Sequence, residues 1–455
     1  MTATDPRRRL PVGPGRRAVR VWLAPRSTPE VDLAALAGGP DGILFDDGGR
    51  RIVGIGTAFD LDLGPDEDGA AVLDHLRQVV LHADVGTPPV GAGRGRFGHP
   101  VVAFGALGFE RAPAVLRVPA LLYVEEADGT RWATVTTAAD KSTAQAIPRL
   151  DPASIDAWLA RRSAAGNRLP HRATEPSTVV VVGGPAHFDD ALDKALVALT
   201  TGELDKVVLA RHVDVAFGHV PDVTDLLRRW RDLEPTCTLF VLPAAGGRFV
   251  GASPELLVAR RGEAVESWPL AGTAARGDDP EGLLASPKDA TEHRLVVEAI
   301  AGTLRPLCRS LTVPERPEVV RLRSVDHLGT HLHGRLQAMP GDHPPDVVTL
   351  TRLLHPTPAV AGAPRAAALE RIAASEPAPR GPYAGPVGYV DGDGDGVFVL
   401  GIRSALLTGD TARVCAGVGL VAASVAATER AEVELKLGAV LAALAPAGVS
   451  APAPA

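Results

Sequence analysis

From Val19 to about Val135, apolar runs alternate with turn residues: RAVRVWLA, DGILFDDGGRRIVGIG, HPVVAFGALGF and PALLYVEEADGTRWATVTT. Breaks such as DGG and ADGT between short apolar runs predict hairpins, hence antiparallel sheet. One helix is predicted over 69–82, where Val72, Leu73, Leu76, Val79 and Val80 fall at helical spacing. A further helix is predicted around Ile155–Arg162, followed by the polar linker RRSAAGNRLPHRATEPS. A second block opens at Thr178. Its VVVVGG resembles the start of a dinucleotide fold only superficially, because no GxGxxG follows and Pro185 stands where the phosphate-binding helix should open. The helix 188–200 comes next, then the strands DKVVLARHVDVAF, CTLFVLPA and RFVGASPELLVARRGEAVESWPLAG, helices over 286–309, and the strands VVRLRSV and HLHGRL.

The chain is organised around its last stretch, His355 to Lys436. Four Gly-punctuated apolar runs there (HPTPAVAG, PYAGPVGY, VFVLGIRSALL, VCAGVGLVAAS) lead into one amphipathic helix, TERAEVELKLGAVLAAL. The pattern is α+β, two mixed blocks of mostly antiparallel strands with helices. Residues 1–20 read as a mobile N-terminus, 21–175 and 176–446 as the two blocks, and 447–455 as a frayed tail.

Composition narrows the function classes. With 45% hydrophobic and 22% charged residues, the 455-residue chain can bury a large core. A net charge of −7 argues against a nucleic-acid partner. Cys237, Cys308 and Cys415 lie far apart with no CxxC, as reduced core residues of a cytoplasmic protein would. The basic start RRRLPVGPGRR precedes no apolar h-region, and no run is long enough to span a membrane. A monomer is the expected state.

Several side chains can carry chemistry. Glu429, Glu432 and Lys436 share one face of the last helix, beside the apolar face of Val433, Leu437, Val440, Leu441 and Leu444. A solvated charged stripe is the plainer reading of that spacing. In SPKDATEHRLVVEAIAGTL, Glu292 lies beside the buried face formed by Leu295, Val296, Ala299, Ile300 and Leu304, whereas His293 points elsewhere and reads as structural. Two carboxylates on two helices suit a hard divalent cation such as Mg²⁺. Lys206 opens KVVLAR and Glu255 sits in GASPELLV, each among apolar residues. If buried, such a lysine becomes a base and such an acid a proton donor; if the strands alternate outward, both are solvated, and spacing leaves this open. VDGDGDGV begins like a calcium loop, but its twelfth position is Ile402, so it reads as a hairpin turn. His327, His331 and His333 read as packing or surface residues.

Taken in order, KVVLAR, FVGASPELLV, PLAGTAARG, KDATEH, HPTPAVAG, PYAGPVGY, VLGIRSA, AGVGLVAAS and ERAEVELKLG resemble the chorismate-utilising enzymes, which include isochorismate, salicylate, anthranilate and aminodeoxychorismate synthases. The resemblance covers about Thr178 to Leu444; VVAFGALGF matches more loosely, with Gly108 where the family usually has Pro. It implies one large α/β domain of two antiparallel sheets flanked by helices, so the two blocks become halves of one domain. Lys206, where anthranilate synthases carry Gln, implies water and not ammonia as nucleophile. Ala271 in PLAGT removes the nucleophilic lysine of aminodeoxychorismate synthases. Ala359 in HPTPA is similar to isochorismate synthases, whereas salicylate and anthranilate synthases have Thr or a like residue.

By position, the resemblance makes Lys206 the general base at C2 of chorismate and Glu255 the general acid for the C4 hydroxyl. It assigns Glu292 and Glu432 to Mg²⁺, and Arg403, Tyr383, Gly417, Gly272, Thr273, Ala359 and Lys436 to the substrate. Glu429 would act at one remove, through water. A salicylate synthase and a catalytically silent chorismate-binding homologue are the competing readings. Feedback inhibition is not expected, for want of the regulatory motif of anthranilate synthases.

Overall fold

A computed structural model describes residues 16–23, 31–67, 69–87, 99–137, 150–166, 176–182, 184–277, 279–338 and 343–444. The described residues form a thirteen-stranded sheet, a nine-stranded sheet and a three-stranded sheet, with helices outside them. The large sheet runs from its Pro176–Val181 edge through Lys206–Phe217, Thr411–Leu420, Ser404–Thr408, Gly247–Ser253 and Thr238–Ala244. It then crosses to Gly42–Asp46, Arg50–Ile55, Leu121–Glu126, Arg131–Thr137, Arg17–Leu23 and Val80–Val85. The crossing between the sequence halves is direct hydrogen bonding of Leu239, Phe240 and Val241 to Asp46, Phe45 and Leu44. The nine-stranded sheet also mixes the halves, with Val102–Ala106 paired to Pro386–Asp391. The third sheet, Leu270–Ala275, Val325–Gly329 and Glu318–Arg321, was not expected from the sequence.

The two large sheets close on a layer of rings. Phe45, Phe240 and Phe249 from one sheet meet Phe104 and Tyr389 from the other, with Phe45 and Tyr389 edge to face at 5.3 Å. Such pairs add about 0.5–1.5 kcal/mol each beyond the area they bury. Lys206–Phe217 is covered on both faces and therefore reads KVVLARHVDVAF, a nearly unbroken apolar run with β-branched residues. It pairs over ten residues with Thr411–Leu420, whose glycines let other groups approach closely.

Two helices frame one end of this strand pair. In Pro287–Leu304, proline fills the first turn and the Ser286 hydroxyl accepts the Asp289 amide, so the start is set locally. Ala426–Leu444 buries Val433, Leu437, Val440, Leu441 and Leu444 against the sheet, as its spacing predicts.

Three expectations need correction. The helix predicted over 69–82 covers only Ala70–Arg77, because Val80–Val85 pairs in parallel with Arg17–Leu23 in the large sheet. β-Branched residues there follow the tertiary pairing and not the helical period. Arg17 to Arg20, placed in the mobile N-terminus, belong to that strand; residues 1–15 and the tail after Leu444 lie outside the described residues. Pro185 does open a helix, Pro185–Thr200. The dinucleotide reading fails instead because Pro176–Val181 pairs antiparallel at a sheet edge, where that fold needs a parallel crossover. Val390–Val397 is a hairpin turn: the Asp391 carboxylate accepts the amides of Asp393, Asp395 and His99. The helix around Ile155 spans Pro152–Gly166, and residues 167–175 of the linker lie outside the described set.

Candidate active site

One cavity, about 740 Å³ including its mouth, opens where Lys206–Phe217, Thr411–Leu420, the small sheet and the two framing helices converge. Its walls include Glu255, Gly272, Thr273, Glu292, Ala359, Tyr383, Arg403, Gly417 and Lys436. Nine of the twelve site residues expected from the sequence therefore face one space. Lys206 and Glu432 stand just behind the wall, and Glu429 lies further back.

Lys206, at the start of its strand, is fully buried, with Nζ 3.1 Å from Glu292 Oε1. This resolves the ambiguity left by spacing, since neither Lys206 nor Glu255 alternates outward. Glu255 follows the strand Gly247–Ser253; its amide donates to the Ser253 hydroxyl, which donates to the Leu400 carbonyl. Burial pushes its carboxyl up to about 8, against the Leu270 backbone and the Lys206 and Lys436 charges. Glu255 is thus protonated near neutrality.

The charged face of the last helix is not a solvated stripe. Lys436 Nζ donates to Glu432 Oε1 at 2.5 Å and to the Gly417 carbonyl at 3.1 Å, tying helix to strand. Burial alone would raise the Glu432 carboxyl, but Lys436, with help from Lys288 and Thr273, holds it below its usual range. Glu429, fully buried, pairs with Lys288 Nζ at 2.9 Å, and burial raises its carboxyl. Burial alone would lower the Lys288 ammonium, but the charges of Glu292, Glu429 and Glu432 hold it above its ordinary value.

The donor set fits a hard cation. Glu292 and Glu432 offer carboxylate oxygens from two helices. Among the described residues no group of three or more His, Cys, Asp or Glu side chains converges to complete a shell. An ion held by two protein oxygens must take its remaining ligands from water or substrate, which suits Mg²⁺ and not a closed zinc site.

On the opposite side, Arg403 is 8% exposed and adopts φ +52°, a left-handed conformation uncommon outside glycine. Among the described residues its Nη2 has no hydrogen-bond partner, an uncompensated donor that a ligand carboxylate would satisfy. Burial lowers its guanidinium from the ordinary arginine value. The buried Tyr383 ring packs beside Gly417.

Sequence reasoning missed three contributors. Gly419, two residues beyond the expected Gly417, is the tighter contact: a Cβ there would stand 2.1 Å from Glu292 Oε1 and 3.1 Å from Lys206 Cε. The signal was present in AGVGL, where pairing places Gly417 and Gly419 on the same face of the strand. His327, read as packing, lines the cavity. It contacts the Gly272 carbonyl through Nδ1 at 3.1 Å and Thr273 Oγ1 at 3.2 Å, and burial drives it down to about 3, so the ring stays neutral. His331 and His333 are exposed, as expected. Arg380, next to PYAG, also lines the cavity, but its donors go to Glu376 and to the carbonyls of Val208 (2.8 Å) and Val360 (2.7 Å). It is a strut between two walls. Gly272, at φ +76°, supplies the bulge that turns the small sheet toward Asp289.

A buried acid, a buried amine and an unmatched guanidinium around one cavity suit an enzyme that acts on a small carboxylate. The chain belongs to the chorismate binding enzyme family, whose description matches residues 100–445. A Mycobacterium tuberculosis protein provisionally named isochorismate synthase MenF is 40% identical over 299 residues, 61% of this chain and 79% of that one. Isochorismate synthase EntC of Escherichia coli K12 is 38% identical over 262 residues, 56% of this chain and 66% of that one. The solved structure of MenF, the menaquinone-specific isochorismate synthase of Escherichia coli, superposes with a TM-score of 0.74 at 25% identity, covering 95% of each chain. Among the described residues no helix is long and apolar enough to cross a membrane.

Proposed function

We propose that this protein is an isochorismate synthase, isomerising chorismate by adding water at C2 and releasing the C4 hydroxyl. The observation that carries the reading is Glu255, a buried carboxyl in the same cavity that the buried Lys206 borders. Lys206 takes a proton from the water that attacks C2. The ring double bonds shift, and Glu255 gives its proton to the oxygen leaving C4, so one water enters and one departs. Proton exchange with solvent then resets both groups.

Arg403 offers its unmatched Nη2 to the enolpyruvyl carboxylate in a forked contact, with Tyr383 beside it. Gly272, Thr273, Ala359 and Gly417 shape the ring pocket, and the neutral His327 holds Thr273. Glu292 and Glu432 would hold Mg²⁺, which supplies a positive charge for the ring carboxylate when bound. Lys436 fixes Glu432, and Glu429 acts behind them. Because Glu292 also pairs with Lys206, cation binding and release of the lysine draw on one carboxylate.

Relatives named isochorismate synthase favour this reading over a salicylate synthase, as does Ala359. The retained set of Lys206, Glu255, Glu292, Glu432 and Arg403 argues against a silent homologue. We place the protein in the cytoplasm, as a monomer with neither nucleic-acid nor membrane partners, its product serving menaquinone, siderophore or related biosynthesis. Incubation with chorismate and Mg²⁺, followed by chromatography, should give isochorismate. Salicylate with pyruvate, or unconsumed chorismate, would overturn the assignment.

A further inference from the structure

Behind the reaction cavity lies a second, larger hollow, about 1300 Å³ including its open mouth. Phe109, Pro356, Leu369, Ile372, Pro377 and Pro379 give it an apolar floor. Its two carboxylates are already engaged. Glu110 accepts the amides of Arg380 and Gly381, and Glu376 is held by Arg380 and His212.

Its two guanidiniums, Arg111 and Arg365, are not so matched. Among the described residues neither has a carboxylate within ion-pair distance; each reaches only a backbone carbonyl, of Arg352 (3.4 Å) and Leu354 (3.1 Å). Both side chains reach solvent at the mouth, where partial burial and then the Arg111 charge lower the Arg365 guanidinium. An apolar floor beneath two like charges is complementary to a flat hydrophobic body carrying one anionic group.

The wall between the two hollows is thin. Arg380 lines the first and its partner Glu376 the second, while the loop after His355 gives Pro356 to the second and Ala359 and Val360 to the first. We propose that the second hollow binds a small aromatic carboxylate, with the carboxylate on Arg111 and Arg365, and acts through this wall as an effector site for the reaction cavity. Binding here goes beyond the isochorismate synthase reading and does not depend on it.

Benzoate is the probe, and benzamide its uncharged control. Calorimetric titration should give similar benzoate affinity in the wild type and in Arg403→Ala, which removes the anion anchor of the reaction cavity. Affinity should fall about tenfold or more in Arg111→Ala/Arg365→Ala, and equally in Ala373→Trp, which fills the hollow from its exposed rim. Benzamide should bind about tenfold more weakly than benzoate. In turnover assays, saturating benzoate should shift KM for chorismate in the wild type and not in the double variant. Binding that survives both sets of substitutions, equal binding of benzamide, binding lost in Arg403→Ala, or a KM shift that is absent or persists in the double variant would overturn the proposal. If chorismate is not a substrate at all, the titrations still decide whether the hollow binds the anion.

Discussion

Lys206 Nζ and Glu292 Oε1 lie 3.1 Å apart, and the lysine has no exposure to solvent. The amine proposed to deprotonate water and a carboxylate proposed to hold the cation therefore neutralise each other. Lys206→Ala should lower kcat by about 10²–10⁴-fold while chorismate still binds, because the lysine is asked for proton transfer and not for affinity. It should also destabilise the fold by about 3–5 kcal/mol, since Glu292 is left buried without its partner. Single-turnover kinetics and equilibrium titration separate these effects; a near-normal rate would remove Lys206 from the chemistry.

Glu255 must be protonated to serve as the acid. Turnover should therefore fall as pH rises through about 8, and Glu255→Gln should abolish both the rate and that limb of the profile. Stability falls in the same direction, beginning at lower pH. The folded-state carboxyl titrates above its unfolded value, so wild-type stability is lost as pH climbs from about 4.5 to about 8. Glutamine carries no such proton, so its Tm advantage over the wild type should grow across that window, by roughly 2 °C or more. A difference that stays flat with pH would contradict the protonated acid.

Chelation tests the carboxylate pair. Removing Mg²⁺ should silence turnover, and Glu432→Gln should raise the Mg²⁺ concentration needed for half-maximal rate. Full activity in excess chelator would exclude Glu292 and Glu432 as cation ligands.

The two glycines of AGVGL should differ. An alanine at 419 would drive a methyl into Glu292, where the space is 2.1 Å, whereas at 417 it meets Tyr383 and Val208 at 3.2 Å. Gly419→Ala should lose about 10²-fold in kcat/KM or more, because an ångström of displacement at reacting groups has that effect. Gly417→Ala should lose less, mainly in KM. Equal losses would mean that the contact at Gly419 does not position the pair.

Much of this site was legible because its residues break local rules. A lysine and a glutamate inside apolar strands, and carboxylates beside the buried face of helices, are costly unless they do something. What spacing could not settle was direction. Lys206 could equally have pointed outward, and its direction is set only by remote pairings, of Lys206 with Ala363 and of the rest of its strand with Thr411–Leu420. His327, His331 and His333 were read together as packing or surface residues, and spacing could not tell that only His327 is buried beside the cavity. Its own place follows from the small sheet, where it pairs with Thr273, some fifty residues away. The helix over 69–82 was drawn too long for the same reason: a remote strand claims Val80–Val85.

Finally, consider the seam at which Gly42–Asp46 meets Thr238–Ala244. Because the sheet is stitched there by main-chain bonds between distant parts of the polypeptide, a cut between the two sequence halves should leave neither half autonomous. Each fragment would carry raw, adhesive borders with no native mate. Truncation or modular shuffling should therefore produce aggregates and not a minimal catalyst.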